Sequence, residues 1–302
     1  MARWLVVCCF FLSWSSVWAA DTSPGTYAGE LLKQVSKANP QLLGATIYAV
    51  PPKGGGAAVV VASTEGLSSG APADPADLSA LKAGTSSTID TRGTRMAVRM
   101  QLLDVSGDPA GVLRLQFAYR SNEDGERIGH SAAQIRDWLR RRVSHTGNLF
   151  DPVPYERDAP ATDTYAQQLV DEFIGKYPEI EIFVIHATPP ESDYNVIAGS
   201  NIGRIGKKAD NDDMRCIFTG KPNLEVNSTG KRFESEMPLH DRAGQVIGAL
   251  GVVVAYKKED DKQALFKHAD QIRAALEKKI PDAGSLFRPA PQGSGSASGA
   301  GT

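Results

Sequence analysis

The alternation of hydrophobic and polar residues is clearest near the end of the chain, over residues 232–240. Phe233 and Met237 lie on one side of an extended chain, while Glu234 and Glu236 lie on the other. This two-residue period is typical of a strand with one face in a hydrophobic core. The segment therefore predicts a strand with an acidic face.

Two longer apolar features follow this strand. The run Val246–Tyr256 is almost wholly apolar, which predicts a central strand covered on both faces. Apolar residues at helical spacing then predict a closing helix, whose buried stripe consists of Leu265, Ala269, Ile272, Leu276 and Ile280.

The same pattern occurs earlier in the chain. A shift of 137 residues places Gly93–Tyr119 on Gly230–Tyr256 without a gap, and a shift of 138 places Ile47–Pro52 on Ile185–Pro190. Identical pairs include Arg95/Arg232, Asp104/Asp241, Gly107/Gly244, Gly111/Gly248 and Tyr119/Tyr256. Self-similarity over a whole unit indicates a tandem duplication. We place domain 1 at 21–143, a linker rich in Pro, Asp and Gly at 144–162, and domain 2 at 163–281.

Each copy predicts the same order of elements: a helix, two strands, a short helix, a three-strand meander and a closing helix. In domain 1 the predicted segments before the meander are Tyr27–Ala38, Leu43–Val50, Ala57–Ala62 and Asp74–Lys82. In domain 2 they are Tyr165–Lys176, Ile180–Ala187, Asn195–Ser200 and Asn211–Phe218. Asp163 is the predicted N-cap of the first helix of domain 2.

The hairpin Met237–Leu250 resembles the "P-L-x-D-x-x-G-x-x-I-G-x-L" phrase of PAS-like extracytoplasmic sensor domains of the Cache type. The preceding Gly220-Lys221-Pro222 step and Ala198–Lys207 are also similar to that family. The resemblance implies an α+β fold of two tandem PAS/Cache-like domains, each a roughly five-stranded antiparallel sheet flanked by helices. It also implies noncatalytic recognition of a small ligand, often a carboxylate or an amine, between one sheet face and the short helix.

The two ends of the chain have their own compositions. The first twenty residues combine Arg3, the short apolar run Trp4–Leu12 and small residues at Val17 and Ala19, which predicts a cleaved signal peptide over 1–20. Residues 282–302 are rich in Gly and Ser and predict a disordered tail. No later apolar run is long enough to span a bilayer. We therefore expect a periplasmic or secreted protein.

Composition excludes several function classes. The formal charge of −2 and the lack of a basic run argue against a nucleic-acid partner. Cys216 alone would remain after signal cleavage, so we expect a buried small side chain and no disulfide framework. The H-E-x-x-H, C-x-x-C and P-loop patterns are absent. We expect no catalytic residues, no metal site and no cofactor.

Candidate ligand contacts come from the variable stretch before the meander of domain 2 and from the polar face of its strand. They are Tyr194, Asn201, Arg204, Lys207, Arg215, Arg232 and Glu234. Arginine can hold a carboxylate in a bidentate fork. A structural ion pair of Arg232 with Glu234 or Glu236 is an equal alternative for that residue.

Two functions remain in view. The first is an exported binding protein that recognises a small molecule through a Cache-like pocket in domain 2. The second is a noncatalytic interaction or scaffold subunit that docks on a membrane or envelope partner, with its pockets filled by side chains. The sequence does not separate them.

Overall fold

The computed structural model describes residues 25–53, 56–90 and 92–290. The predicted signal peptide and residues 291–302 of the predicted tail lie outside these ranges. Along the described ranges, no helix is both long and apolar enough to cross a bilayer.

Domain 1 begins with an extended pair of residues and closes with another, and these two pairs bond to each other. In chain order its elements are β1 (Gly25–Thr26), α1 (Tyr27–Ala38), β2 (Leu42–Ala49), β3 (Val59–Ser63), α2 (Pro75–Ala83), β4 (Thr85–Ile89), β5 (Arg95–Leu103), β6 (Pro109–Ala118), α3 (Asn122–Arg140), a 3-10 helix (Thr146–Phe150) and β7 (Pro152–Val153).

Domain 2 repeats this order. Its elements are α4 (Tyr165–Lys176), β8 (Ile180–Ala187), β9 (Val196–Ser200), α5 (Asn211–Thr219), β10 (Asn223–Val226), β11 (Arg232–His240), β12 (Val246–Ala255), α6 (Lys262–Glu277) and a 3-10 helix (Ala283–Phe287).

Each domain contains one five-stranded antiparallel sheet, ordered β3-β2-β6-β5-β4 and β10-β11-β12-β8-β9. The predicted α+β fold of two repeated units, each a five-stranded antiparallel sheet flanked by helices, is confirmed. Strand β12 is central, as its continuous apolar run predicts, because both of its edges are paired.

Two helices cover one face of each sheet and the short helix lies on the other. Alternate residues of the strands join α1 and α3 in the main core of domain 1, and α4 and α6 in that of domain 2. The opposite faces hold smaller clusters, around Tyr48 and Val112 beneath α2 and around Val184 and Ile197 in domain 2. The polar residues of β11 are therefore on the side of α5.

Both predicted domain ends are too early, because folded structure continues past residues 143 and 281. Leu149 and Leu286, in the two 3-10 helices, are buried in the cores of their domains. An apolar side chain that fills a core holds its backbone in place, so part of the expected linker and tail belongs to the domains. The N-cap of α4 is Thr164 and not Asp163, since the Thr164 side chain accepts the bond from Gln167 N.

Candidate ligand-binding site

The short helix α5 brings acidic side chains to the polar face of the domain 2 sheet. Asp210 caps its N-terminus, and Asp213 bonds back to Asp210 N at 2.8 Å, which forms a capping box. Gly220, with φ of 65°, ends the helix in the left-handed conformation. Cys216 is buried, as expected. These contacts fix Asp213 against the sheet.

Asp213 meets a buried acid from strand β11. The pKa of Glu236 is raised to about 9, first by burial and then by its hydrogen bond to Asp213. Burial opposes ionisation of Asp213 as well, but the bond from Glu236 holds the Asp213 pKa below its usual value. The two carboxyl groups thus share one proton at neutral pH, with Glu236 as the donor.

Glu234 adds a third carboxyl group on the same face. Burial and the neighbouring charge of Glu225 raise its pKa to about 7. In the described part of the chain, neither Glu234 nor Glu236 forms an ion pair with a lysine or arginine. Lys207 acts on Asp213 only through its longer-range charge. The site has a surplus of negative charge.

His186 faces this acidic group from strand β8. Its Nε2 lies 3.5 Å from Asp213 Oδ1, and burial lowers its pKa, so the ring is neutral at pH 7. A neutral ring that donates from Nε2 toward Asp213 leaves Nδ1 as an acceptor. The described structure gives this Nδ1 no hydrogen-bond partner, and the same is true of Asn195 Oδ1 and Glu236 Oε1. All three side chains belong to residues at least nine-tenths buried.

Domain 1 fills the equivalent place with its own arginines. Asp77 on α2 corresponds to Asp213 on α5, and it accepts a 2.6 Å bond from Arg99 Nε and a 3.3 Å bond from Arg114 Nη1. Arg114 also pairs with Glu65 through a 2.7 Å bond from Nη2. Two buried carboxylates are therefore balanced by two guanidinium groups.

The duplication places the differences at defined positions. Arg99 pairs with Arg114 across β5 and β6, and Glu236 pairs with Gly251 across β11 and β12. A Cβ at Gly251 would lie 3.6 Å from Glu234 Oε1 and 3.8 Å from Val184 Cβ, which are ordinary contacts. Domain 2 thus has neither arginine at these two positions, although it has the same carboxylate on the short helix.

The sequence-predicted contacts are spread over several places. Glu234 lies in the acidic site and Lys207 lies near it. Tyr194 is exposed, stacks with the Lys208 ammonium at 3.8 Å and lines a surface cavity of about 360 Å³. Arg215 is exposed and pairs with Asp212 at 3.2 Å on its own helix. Only Glu234 is in the acidic cluster itself.

Arg232 binds domain 1 and not a neighbour on its own strand. Its guanidinium donates to Ser106 Oγ at 2.6 Å and to Ser144 O at 3.0 Å. It also pairs with Glu181 at 3.1 Å and Asp104 at 3.5 Å. The alternative of an ion pair with Glu234 or Glu236 is wrong, because the strand end points Arg232 into the domain interface.

Asn201 and Arg204 also serve the interface. Asn201 Nδ2 donates to Arg141 O at 2.8 Å, while Arg204 Nε binds Asp151 at 2.7 Å. Arg204 has a φ of 65°, which is uncommon outside glycine. Both residues line a cavity of about 470 Å³ between the domains, together with Tyr27, Arg142 and Asp171.

Sequence reasoning missed Asp213, Glu236, His186 and Asn195. Each is an ordinary polar residue when taken alone. The sequence feature that could have indicated these residues is the alignment of the two repeats. It places Arg99 on Glu236 and Arg114 on Gly251. Across the described residues, no group of three or more His, Cys, Asp or Glu side chains is arranged to hold a metal ion.

No family model and no curated protein matches the chain. Among solved structures, the A. aeolicus NLH2 GAF domain in an inactive state is 16% identical over 39% of this chain and 85% of that one, at a TM-score of 0.31. PelD from Pseudomonas aeruginosa PAO1 is 13% identical over 86% of this chain and 79% of that one, at a TM-score of 0.27. The extracellular domain of the histidine kinase candidate mmHK1S-Z2 is 13% identical over 76% of this chain and 80% of that one, at a TM-score of 0.21.

Proposed function

We propose that domain 2 is a noncatalytic binding module for a small organic cation, and that the protein acts outside the cytoplasm. The observation that carries the proposal is the cluster of Asp213, Glu234 and Glu236, which lacks the arginines that neutralise the same place in domain 1. Buried charges in proteins are normally paired. A bound cation would supply the missing partner.

The choice of a cation over a carboxylate follows from where the arginines lie. Arg204 and Arg232 bond to domain 1, Arg232 also pairs with Glu181 of its own domain, and Arg215 is exposed. A carboxylate beside Asp213 and Glu236 would meet like charge and an unfavourable desolvation. An ammonium or guanidinium group would instead replace the shared proton and donate hydrogen bonds to acceptors that now have no partner.

The scaffold alternative is favoured for domain 1 by one observation. Its α2 site is occupied by Arg99 and Arg114, whose side chains are largely buried and bond to Asp77, Glu65 and Thr88. A filled site leaves no room for a ligand of the same kind. We propose that domain 1 supports domain 2 or contacts a partner, without binding a small molecule beneath α2.

A binding screen on the full mature chain tests the function. Alkylammonium and alkylguanidinium salts are expected to raise the unfolding temperature, while acetate and succinate are not. Saturation at 100 times Kd adds about 2.7 kcal/mol to the free energy of unfolding. Asp213→Asn should abolish the effect, whereas Asp212→Asn, on the exposed side of the same helix, should keep it. Stabilisation by carboxylates and not by cations would contradict the proposal.

A further inference from the structure

The α2 site of domain 1 shows how this fold holds a guanidinium group. Arg114 lies between two carboxylates, with Nη2 2.7 Å from Glu65 Oε2 and Nη1 3.3 Å from Asp77 Oδ2. Its guanidinium carbon is 5.7 Å from the centre of the Tyr48 ring. The planar cation is therefore held by acceptors in its plane and by an aromatic ring nearby.

Domain 2 keeps the carboxylate of the short helix and an aromatic ring at the equivalent strand position, but it lacks the arginine. Asp213 replaces Asp77, and the His186 ring replaces the Tyr48 ring in the aligned sequences. Ile202 stands where Glu65 stands in domain 1, so the second carboxylate comes from strand β11 instead, as Glu234 or Glu236. Gly251 replaces Arg114 itself.

We infer that the cation taken by domain 2 is a guanidinium group, which occupies beside Gly251 the place that the Arg114 side chain occupies in domain 1. This inference rests on the proposed function and specifies its ligand class. Domain 1 thus shows which chemical group binds at this place in the fold, because Arg114 occupies it there.

The acceptors around the site fit a guanidinium better than an ammonium. The carboxyl groups of Asp213, Glu234 and Glu236 lie on this side of the sheet, and Glu236 Oε1 has no hydrogen-bond partner among the described residues. A guanidinium has five N–H donors in a plane and an ammonium has three. A guanidinium also keeps its charge when it is desolvated, whereas a buried ammonium readily loses its proton.

Two ligands of matched size test the inference on the unaltered mature chain. Calorimetric titration with butylguanidinium and butylammonium is expected to show binding at least about tenfold tighter for the guanidinium, in line with its bidentate geometry. Equal or tighter binding of butylammonium would overturn the guanidinium assignment and leave cation binding in place. Binding of neither ligand would overturn both proposals.

Substitution at Gly251 tests the position of the group. Gly251→Arg should supply an internal guanidinium, abolish butylguanidinium binding and raise the unfolding temperature of the ligand-free protein. Gly251→Ala, whose Cβ makes only ordinary contacts, should bind as the unaltered chain does. A folded Gly251→Arg chain with unchanged affinity would place the ligand elsewhere and overturn the inference. If Gly251→Arg fails to fold, the ligand comparison on the unaltered chain still decides the outcome.

Discussion

Glu236 is a buried acid at a position where the other copy of the domain has an arginine, Arg99. Its raised pKa, about 9, means that the folded protein holds this proton much more tightly than the unfolded chain, where the pKa is near 4.5. The contribution of Glu236 to the free energy of unfolding is therefore greatest below pH 4.5. It declines as the pH rises toward 9, because the unfolded state then loses a proton that the folded state keeps.

The substitution Glu236→Gln removes this dependence. The variant should lose less stability than the unaltered chain between pH 5 and pH 9, because glutamine does not titrate. Urea unfolding at pH 5, 7 and 9 measures the effect. Glu259→Gln, an exposed acid in a turn, is the control and should follow the unaltered chain. An identical pH slope in Glu236→Gln would contradict a raised pKa at this residue.

Arg114 offers the complementary experiment in domain 1. Arg114→Gly leaves Glu65 and Asp77 without part of their charge balance, which costs about 3–5 kcal/mol for a buried pair. Millimolar ethylguanidinium should restore part of the lost unfolding temperature. The test is made in a chain that also carries Asp213→Asn, so that domain 2 does not respond.

The control for this rescue is Arg127→Ala, which breaks an exposed pair with Asp124. Solvent screens such an exposed pair, so this variant should be nearly as stable as its parent and show no rescue. Failure of ethylguanidinium to stabilise Arg114→Gly would show that the α2 site cannot take a free cation.

The sequence predicted residues of the acidic site only where the local alternation of polar and apolar residues determines their position. The period of β11 placed Glu234 on the polar face, and that prediction is sound because alternation alone sets a strand's faces. Arg204 and Arg232 were chosen for their chemistry. Their partners, Asp151 and Glu181, come from distant parts of the chain, and no local pattern specifies such pairs.

At the scale of elements, strand β12 depends on a close approach of two backbones. A Cβ on Gly248 would lie 1.8 Å from His186 O, and one on Gly111 would lie 2.3 Å from Tyr48 O in domain 1. The glycines kept by the duplication are thus explained by contact between strands. Since His186 and Tyr48 are the ring residues of the two sites, these glycines also set the position of each ring.

Gly248→Ala should therefore disturb both stability and binding. We expect a loss of about 3 kcal/mol, the upper part of the range for overpacking, and weaker cation binding because His186 is displaced. Gly251→Ala on the same strand is the matched control and should leave stability unchanged or slightly higher. Chemical denaturation and calorimetric titration measure the two effects. Unchanged cation affinity in Gly248→Ala would show that binding does not depend on the position of the His186 ring.

The elements themselves were largely readable from the sequence. Helices α1 and α4 and strands β8 and β11 begin and end where apolar periodicity predicts. The two 3-10 helices were not predicted, because each is only one short turn with a single buried leucine. Periodicity needs more than one turn to become visible, so these segments look like linker and tail.

At the scale of the whole molecule, one connected network of polar contacts joins the two domains. It contains Asn201, the ion pair of Arg204 with Asp151, and Arg232, which donates to Ser144 O. Burial raises the pKa of Glu181 and of Asp104, while the charge of Arg232 opposes that rise. Arg232 therefore stabilises two carboxylates of the interface.

Arg232→Ala should loosen the domains without affecting the ligand. Removing one partner of a partly buried pair costs about 3 kcal/mol, and we expect unfolding of the two domains to separate into two calorimetric transitions. Cation affinity should be unchanged, because Arg232 lies outside the acidic site. Lys231→Ala, which breaks an exposed pair with Asp108, should keep a single transition. Loss of cation binding in Arg232→Ala would contradict this prediction and indicate that Arg232 contributes to ligand binding.

The start and finish of each domain meet. Tyr27 N donates to Asp151 O in domain 1, and Tyr165 N donates to Arg288 O in domain 2. A segment with adjoining ends can be copied head to tail, since the next copy starts beside the point where the previous one stops. A second copy of the same fold can change without loss of the first, so the two domains can differ at Arg99/Glu236 and Arg114/Gly251 while both keep the same sheet.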